Sequence, residues 1–531
     1  MGKFRIIITA TIAGIILLLY GCFPSKKVVR VDPVHITKAK LIETPTKVFM
    51  KDSSMVLLQD GFTIFEEILE GQGQRYWMNR EYTDGFQRLT LDSIATMSYY
   101  EKVQSGATIF GSAVMAITGA ILTPFSVHCI TCPKCCFGSC PTVYTTNGSD
   151  YGLEAELFSY SLSKFFQETD VDRLMQKAEP DGTYLLRLTN EALETHYINQ
   201  FNLLAVRHPE GSDVYPTPDG RIISVRNLKA PEMAINSTGE DVRYIIENRD
   251  DHWHYGDSTL IERAQHVFDR DYLDLTLNIP EGADKVKLVI KARNTLLSTV
   301  LFYDVVLASQ GVNALEWTQR LNTDKLYATM YHMAYNNFAG VEISVNRDGD
   351  WEKTDRFGDV GPIAWKEQAV VIPVVVDDQN RMKVRLEWFP DNFMIDYIGY
   401  DVTYENDYSP ISIDEIVPLS ITNFMGADET GIFSKIKEDD FEFLITNPGD
   451  YFDLEYHIPP RNDVSTTLFI KSKGYYTEWL RGDWIALRDD GYQFNLFEVD
   501  KTLEQLKMSW RENRFLLEQT FFETRIPLKG E

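Results

Sequence analysis

Five of the chain's six cysteines fall within twelve residues, in the stretch CITCPKCCFGSCP from Cys129 to Pro141. No other feature restricts local folding as tightly. Thiols this close together must be cross-linked, hold a metal or be buried as inert groups, and each outcome fixes the backbone differently. Which one applies depends on the compartment in which the chain folds, and that is read at the N-terminus.

The first residues are MGKFRIIITATIAGIILLLYGC. Lys3 and Arg5 make a basic start, Ile6 to Leu19 an apolar run, and Tyr20, Gly21 and Cys22 follow, which is the layout of a secretory signal over 1–21. The LYGC ending resembles the lipobox of bacterial lipoproteins, and this resemblance implies cleavage before Cys22 with lipid attached to its sulfur and new amino group. An uncleaved membrane anchor is the alternative. Either way the mature chain is exported and membrane-tethered. From Phe23 to Lys51 there are seven Lys/Arg against Asp32 and Glu43, so 22–46 reads as a basic tether along anionic head groups. It lacks the acidic cluster that surface-exposed lipoproteins of some Gram-negative phyla carry after the acylated cysteine. The expected location is the outer membrane, lipid-anchored, on the periplasmic face.

In that compartment the cysteine cluster can be weighed. Cys129, Cys132 and Cys135 keep the two-residue gaps of a ferredoxin run, but Cys135 to Cys140 leaves four intervening residues where three are needed. An exported chain would also have to acquire the cluster outside the cytoplasm. Export favours disulfides among Cys129, Cys132, Cys135, Cys136 and Cys140. Zinc is the second reading, because two C-x2-C steps plus Cys140, beside His128, can supply a tetrahedral thiolate set. Both assign 129–141 a structural role, and beyond that zinc no cofactor is implied.

Ahead of the cluster, 103–128 contains an uncharged stretch from Ser105 to Val127 dotted with small residues. Its length suits a membrane span. Gly106, Gly111, Ala116 and Gly119 suit close contact with a bilayer or a protein partner; a core helix is the competing reading.

The rest predicts a mainly β, multidomain fold of antiparallel sandwiches. Val56, Leu58, Phe62, Ile64 and Ile68 give partial alternation in a small β domain over 47–102. Asn147-Gly148 marks a hairpin in a β domain over 142–240. Strands such as LDLTLNIP, KVKLVIKAR and MKVRLEW suggest a jelly-roll-like sandwich over 241–405, interrupted by helical periodicity in LLSTVLFYDVVLASQGVNALEWTQRL. Its closing strands resemble those of galactose-binding-like sandwiches. A β region and a C-terminal helix from Lys501 complete 406–531. The net charge of −26, without a basic aromatic patch, argues against a nucleic-acid partner.

The order of a Cys-Pro-x-Val-Tyr strand (Cys140, Pro141, Val143, Tyr144), Glu156, Thr169-Asp170 and a TNExxET stretch (Asn190, Glu191, Glu194, Thr195) resembles a family of exported bacterial proteins without an assigned activity. The similarity spans roughly 45 to 480 and implies architecture and location only.

Candidate chemistry is sparse. His252 and His254, flanked by Asp250, Asp251 and Asp257, could share one strand face and meet a metal, but the third ligand and base of a hydrolytic site are missing. Asn346 to Asp350, NRDGD, opens like a calcium loop but lacks the closing Glu, so a hairpin turn is expected. Glu191 and Glu194 with His196 read as turn caps. Tyr475, Tyr476, Trp479 and Trp484 read as core. The expectation is a non-enzymatic accessory or scaffold subunit of an outer-membrane protein complex. Its rivals are a carbohydrate-binding lipoprotein with an aromatic platform at Trp351 or Trp388, and a metal-dependent hydrolase at His252 and His254.

Overall fold

The structure, a computed structural model, describes most of 26–102 and 134–529. Residues 1–25, 32–39, 43–45, 78–81, 103–133, 404–409, 485–491, 524–527, 530–531 and some single or paired positions lie outside the described residues. The fold is mainly β with antiparallel sheets, as the alternation predicts. It divides into two compact units, Met1–Pro124 and Phe125–Glu531.

The first unit is an eight-stranded sheet around Val48, Val56, Leu58, Phe62, Ile64, Leu69, Leu89, Ile94 and Met97. Two stretches expected as free tether join it. Lys26–Val31 pairs with Met97–Lys102, and Lys40–Ile42 pairs with Phe62–Ile64. The β-branched valines of KKVVRV suit a strand, and backbone pairing overrides the basic composition.

The second unit holds two sandwiches, one inside the other. Sheet I runs in the order Asp150–Glu156, Thr142–Asn147, Thr183–Thr189, Tyr451–His457, Ser420–Asn423. Sheet II runs Thr169–Arg173, Ser465–Glu478, Glu194–His208, Ser412–Ile416, with Leu444–Thr446 also pairing to Glu194–His208. They enclose Val143, Leu186, Ile198, Phe201, Leu203, Leu454, Tyr456 and Ile470. Segments read separately in sequence, 142–240 and 406–531, thus share both sheets.

The inserted sandwich follows the jelly-roll expectation. Sheet III has five strands in the order Met233–Asn236, Asp271–Asn278, Arg381–Trp388, Val341–Arg347, Asp350–Phe357. Sheet IV has three, Lys366–Pro373, Lys285–Asn294, Phe393–Asp401. From Asp271 onward the chain crosses repeatedly between the two, burying Leu273, Leu288, Ile343, Val384, Leu386 and Ile398. The NRDGD stretch is the two-residue turn expected of Asp-Gly: Arg347 pairs with Asp350, and Asp348 and Gly349 take positive φ. The helical periodicity after Asn294 appears as Leu297–Val300, a π-helical stretch Leu301–Leu307, Ala314–Thr323 and Lys325–Tyr335.

The insertion leaves the first sandwich where a hairpin turn would sit. Arg207 is directly opposite Ser412, and the Ile411 amide donates to the Arg207 carbonyl at 2.7 Å. Charges then fasten the two sandwiches. Glu367 of sheet IV accepts from Arg173 of sheet II and from Arg249, each at 2.5 Å. Lys366 pairs with Asp170 and Asp172. Burial alone would lower the Lys366 ammonium, but the two aspartates outweigh it and raise it. Burial, then Asp170, pushes Asp172 up to about 7. The expected C-terminal helix, Val499–Thr520, docks through Trp510, whose indole N–H donates to buried Asp391 at 2.5 Å.

Removing Glu367 takes one partner from each of two arginines, leaving Arg173 with Asp213 and Arg249 with the Tyr215 hydroxyl. Glu367→Ala should cost about 3 kcal/mol, whereas Arg347→Ala at the exposed hairpin should cost under about 0.5 kcal/mol. Chemical denaturation of both variants checks this, and equal losses would show that the seam is not under electrostatic control.

Candidate functional site

The densest gathering of ionisable groups lies at one end of the first sandwich. Thr183–Thr189 turns into Glu194–His208 through the TNExxET stretch. Asn190 closes this turn by donating its side-chain amide to the Glu194 carbonyl at 3.0 Å and to the Thr446 carbonyl at 3.2 Å. Glu191 then points inward, where Lys134 pairs with it at 2.9 Å and the Tyr144 hydroxyl donates at 2.8 Å. Glu194 also points inward, with its Oε2 3.3 Å from His196 Nε2. Asn190, and not Glu191 or Glu194 as the sequence suggests, caps the turn, and all of these groups except half-buried Tyr144 are buried.

A second carboxylate, Glu478, arrives on the neighbouring Ser465–Glu478 strand, directly opposite Glu194 in the ladder. Between them sits Tyr303 from the helical excursion of the inserted sandwich. Its hydroxyl is 2.9 Å from Glu194 Oε1 and 2.7 Å from Glu478 Oε1. One phenolic proton serves one carboxylate at a time, so a second proton must sit on the pair to complete both bonds. Burial, then the charge of Glu194, pushes the Glu478 carboxyl up to about 8, against the opposing pull of Arg481. Burial therefore favours keeping one proton on the Glu194–Glu478 pair. Arg481, fully buried, donates to Glu478 Oε2 at 2.5 Å. Burial, followed by Glu194 and Glu478, raises the Tyr303 phenol well above its ordinary range.

Gly138 and Cys140, described residues at the end of the cysteine stretch, lie against this cluster. Gly138 has φ +77°, and a Cβ there would collide with the Tyr303 hydroxyl and the Glu194 carboxylate. Only glycine combines that backbone with that approach. Cys140 follows, buried, with its Sγ 3.4 Å from the Ser159 carbonyl. Burial, then Glu156 and Glu194, pushes its thiol well above the usual range, the opposite of what a thiolate nucleophile needs. A cavity of about 40 Å³ lined by Gly138, Cys140, Glu156, Tyr303, Tyr476 and Phe521 opens beside it. It has room for about three water molecules. The cluster can hold water and shuttle a proton between carboxylates.

The other sequence-derived positions lie elsewhere. His252 is exposed, while His254 is buried against Trp388, its ring pushed down to about 4 by burial. The expected common strand face does not exist, because His254 makes only an isolated bridge to Ile395 and His252 precedes it in irregular chain. Among the described residues no group of three His, Cys, Asp or Glu side chains is gathered for a metal. Trp388 is 1% exposed within the inserted core and cannot form a sugar platform. Trp351 is half-buried beneath the Arg385 guanidinium, 4.4 Å from its ring centre. Tyr476, Trp479 and Trp484 are core as expected, and Tyr475 stacks half-buried on Tyr197 at 4.7 Å.

Cys22, Cys129, Cys132, Cys135 and Cys136, with Gly106, Gly111, Ala116 and Gly119, lie outside the described residues. Among the described residues no helix is long and apolar enough to cross a membrane. Sequence reasoning missed Tyr303, Glu478 and Arg481. The last two lie within the aromatic stretch read as core, and Tyr303 sits in an apolar helical run where nothing marks its hydroxyl. No family model matches the chain, and no curated protein matches it.

The raised Glu478 carboxyl has a consequence for stability. The native state keeps a proton that an unfolded glutamic acid releases above about 4.5. The stability it contributes is complete below that pH and is lost as pH rises towards about 8. Glu478→Gln carries no such proton. Melting curves between pH 5 and pH 8 should show the variant gaining steadily on the native protein as pH rises, whatever its offset at pH 5. Parallel curves would mean that Glu478 is ionised throughout.

Proposed function

We propose that this protein is a non-enzymatic, lipid-anchored envelope protein that serves as an accessory or scaffold subunit of an outer-membrane protein complex. The observation that carries the reading is how the second unit uses its buried acidic side chains. Glu191, Glu194, Glu478, Glu367 and Asp391 are each engaged by partners from other parts of the unit. They lock a sandwich, an inserted sandwich and a terminal helix into one body. Such a body acts through its outer surface. The lipobox-like LYGC supports attachment through Cys22, and the basic stretch behind it supports a position close to head groups. The apolar stretch around Gly106, Gly111, Ala116 and Gly119 supports contact with a membrane or barrel wall. Disulfides or zinc at the cysteine loop would brace its seat on Tyr303 and Glu194. The order of motifs from Cys140 to Thr195 supports kinship with exported proteins lacking an assigned activity.

The reading predicts two linked outcomes. Cys22→Ser should move the protein from the outer-membrane fraction to the soluble or inner-membrane fractions on a sucrose gradient. The native protein, tagged at its C-terminus and solubilised in mild detergent, should bring down an outer-membrane barrel protein in near one-to-one amount. A lipidated protein that purifies alone would overturn the subunit role while leaving the anchor intact.

A further inference from the structure

The two sandwiches of the second unit match strand for strand. Sheet III, read from Asp350–Phe357 to Met233–Asn236, repeats the strand order of sheet I read from Asp150–Glu156 to Ser420–Asn423. Sheet IV repeats the first three strands of sheet II in the same way. Lys285–Asn294 stands between Lys366–Pro373 and Phe393–Asp401, as Ser465–Glu478 stands between Thr169–Arg173 and Glu194–His208. The register agrees to the residue. Arg187 faces Tyr144 on one side and Asp453 on the other, and Arg385 faces Ser344 and Asp274. Asn147 closes its hairpin on Asp150, and Arg347 on Asp350. Ile470 lies between Asp172 and Leu203, and Ile290 between Gln368 and Ile398.

Side chains and sequence carry the same correspondence. The Arg187 guanidinium forks onto Asp453 at 2.7 and 2.8 Å against the rings of Tyr151 and Tyr451. Arg385 forks onto Asp274 at 2.6 and 2.8 Å against the rings of Trp351 and Tyr272. The edge strands Ser420–Asn423 and Met233–Asn236 both run into an Asn-x-x-Gly-x-Asp loop. In it the Gly426 amide donates to the Asn423 carbonyl and the Gly239 amide to the Asn236 carbonyl, each glycine at positive φ. DYFDLEYHIP from Asp450 and DYLDLTLNIP from Asp271 share six residues, and LFIKSK from Leu468 answers LVIKAR from Leu288. Unrelated sandwiches share an architecture without sharing sequence. A common clasp, loop and decapeptide at the same rungs are more than that architecture requires.

Along the chain, 142–208 corresponds to 341–401 and 233–294 to 420–473, so the likeness runs in one direction. We infer that 142–294 and 341–478 are two copies of one eight-strand module that have exchanged their second halves. Each sandwich unites the first half of one copy with the second half of the other, which is domain swapping within a single chain. Both crossings have the form that exchange requires. Ser412–Ile416, ahead of one second half, pairs with 203–207 in the first half of the opposite copy. Lys229, ahead of the other second half, bridges Tyr400 in the same sense. At the seam Lys366 binds Asp170, and these two hold equivalent rungs, opposite Ala292 and Ser472. In a pair of identical modules such a position meets its own copy across the two-fold axis; here the copies carry opposite charges. Tyr303, from the segment between the copies, ties Glu194 of the first to Glu478 of the second. The second unit is thus a fused pseudo-dimer, and the outer faces of sheets I and III are two versions of one surface.

This goes beyond the scaffold reading and does not depend on it. Interchangeability of equivalent segments tests it in the full mature chain, purified in detergent. One variant trades Met233–Asp241 with Ser420–Asp428, and a second trades Asp271–Arg293 with Asp450–Lys473. Each has a control whose donor segments start one residue later, which turns every strand side chain to the opposite face. The in-register trades should keep the native far-ultraviolet circular dichroism and a cooperative melt. The shorter one should melt within about 10 °C of the native protein, since it changes few buried side chains. The displaced controls should precipitate or melt without cooperativity. One in-register trade that folds where its own control fails is enough to support the exchange, because only equivalent segments can stand in for each other. If neither in-register trade does better than its control, whether all fail or all fold, the two halves are not copies and the inference is overturned.

Discussion

A single phenolic hydroxyl is the joint on which the second unit depends. Tyr303 reaches from the helical excursion of the inserted sandwich to lie between Glu194 and Glu478, two side chains that neighbouring strands place directly opposite each other. Two buried carboxylates this close cannot both ionise without large cost. Raising Glu478 to about 8 keeps one proton in the site, and that proton lets one hydroxyl satisfy both acids. Arg481 covers the far side, and the backbone at Gly138 covers the near side. Four distant parts of the chain thus meet around one shared proton.

This arrangement explains how an insertion of some two hundred residues is held to its host at more than one place. The excursion begins and ends at adjacent positions of one antiparallel pair, Arg207 and Ser412, which alone would act as a hinge. The Tyr303 joint at one place and the Glu367 and Lys366 pairs at another supply further attachment points. Attachments spaced across an interface fix orientation in a way that a single neck cannot. The charges set register more than they add net stability, because desolvation offsets most of the attraction of buried pairs.

How much of this the sequence discloses depends on the range of the interaction. Local patterns carried well: Asp348-Gly349 marked its hairpin, the alternation of LDLTLNIP marked its strand, and the helical spacing after Lys501 marked its helix. Long-range partnership did not. Nothing in the composition of Glu194–His208 says that its partners lie beyond residue 411, because strand pairing depends on backbone atoms every residue shares. Trp388 failed as a platform for a related reason: a tryptophan on an alternating strand faces core or solvent according to a register set elsewhere. The His252 and His254 pair assumed strand geometry that the irregular chain before His254 does not have.

The cluster also bears on what a perturbed interior means. Strongly shifted ionisable groups are a common mark of active sites, and Glu478, Tyr303 and Cys140 all carry such shifts. All three shifts run towards the neutral form, and burial is the first cause of each. A neutral carboxyl is also the form that a general acid needs, and here the hydrogen bonds to Tyr303 at 2.7 Å and Arg481 at 2.5 Å commit Glu478 to the joint between the two sandwiches.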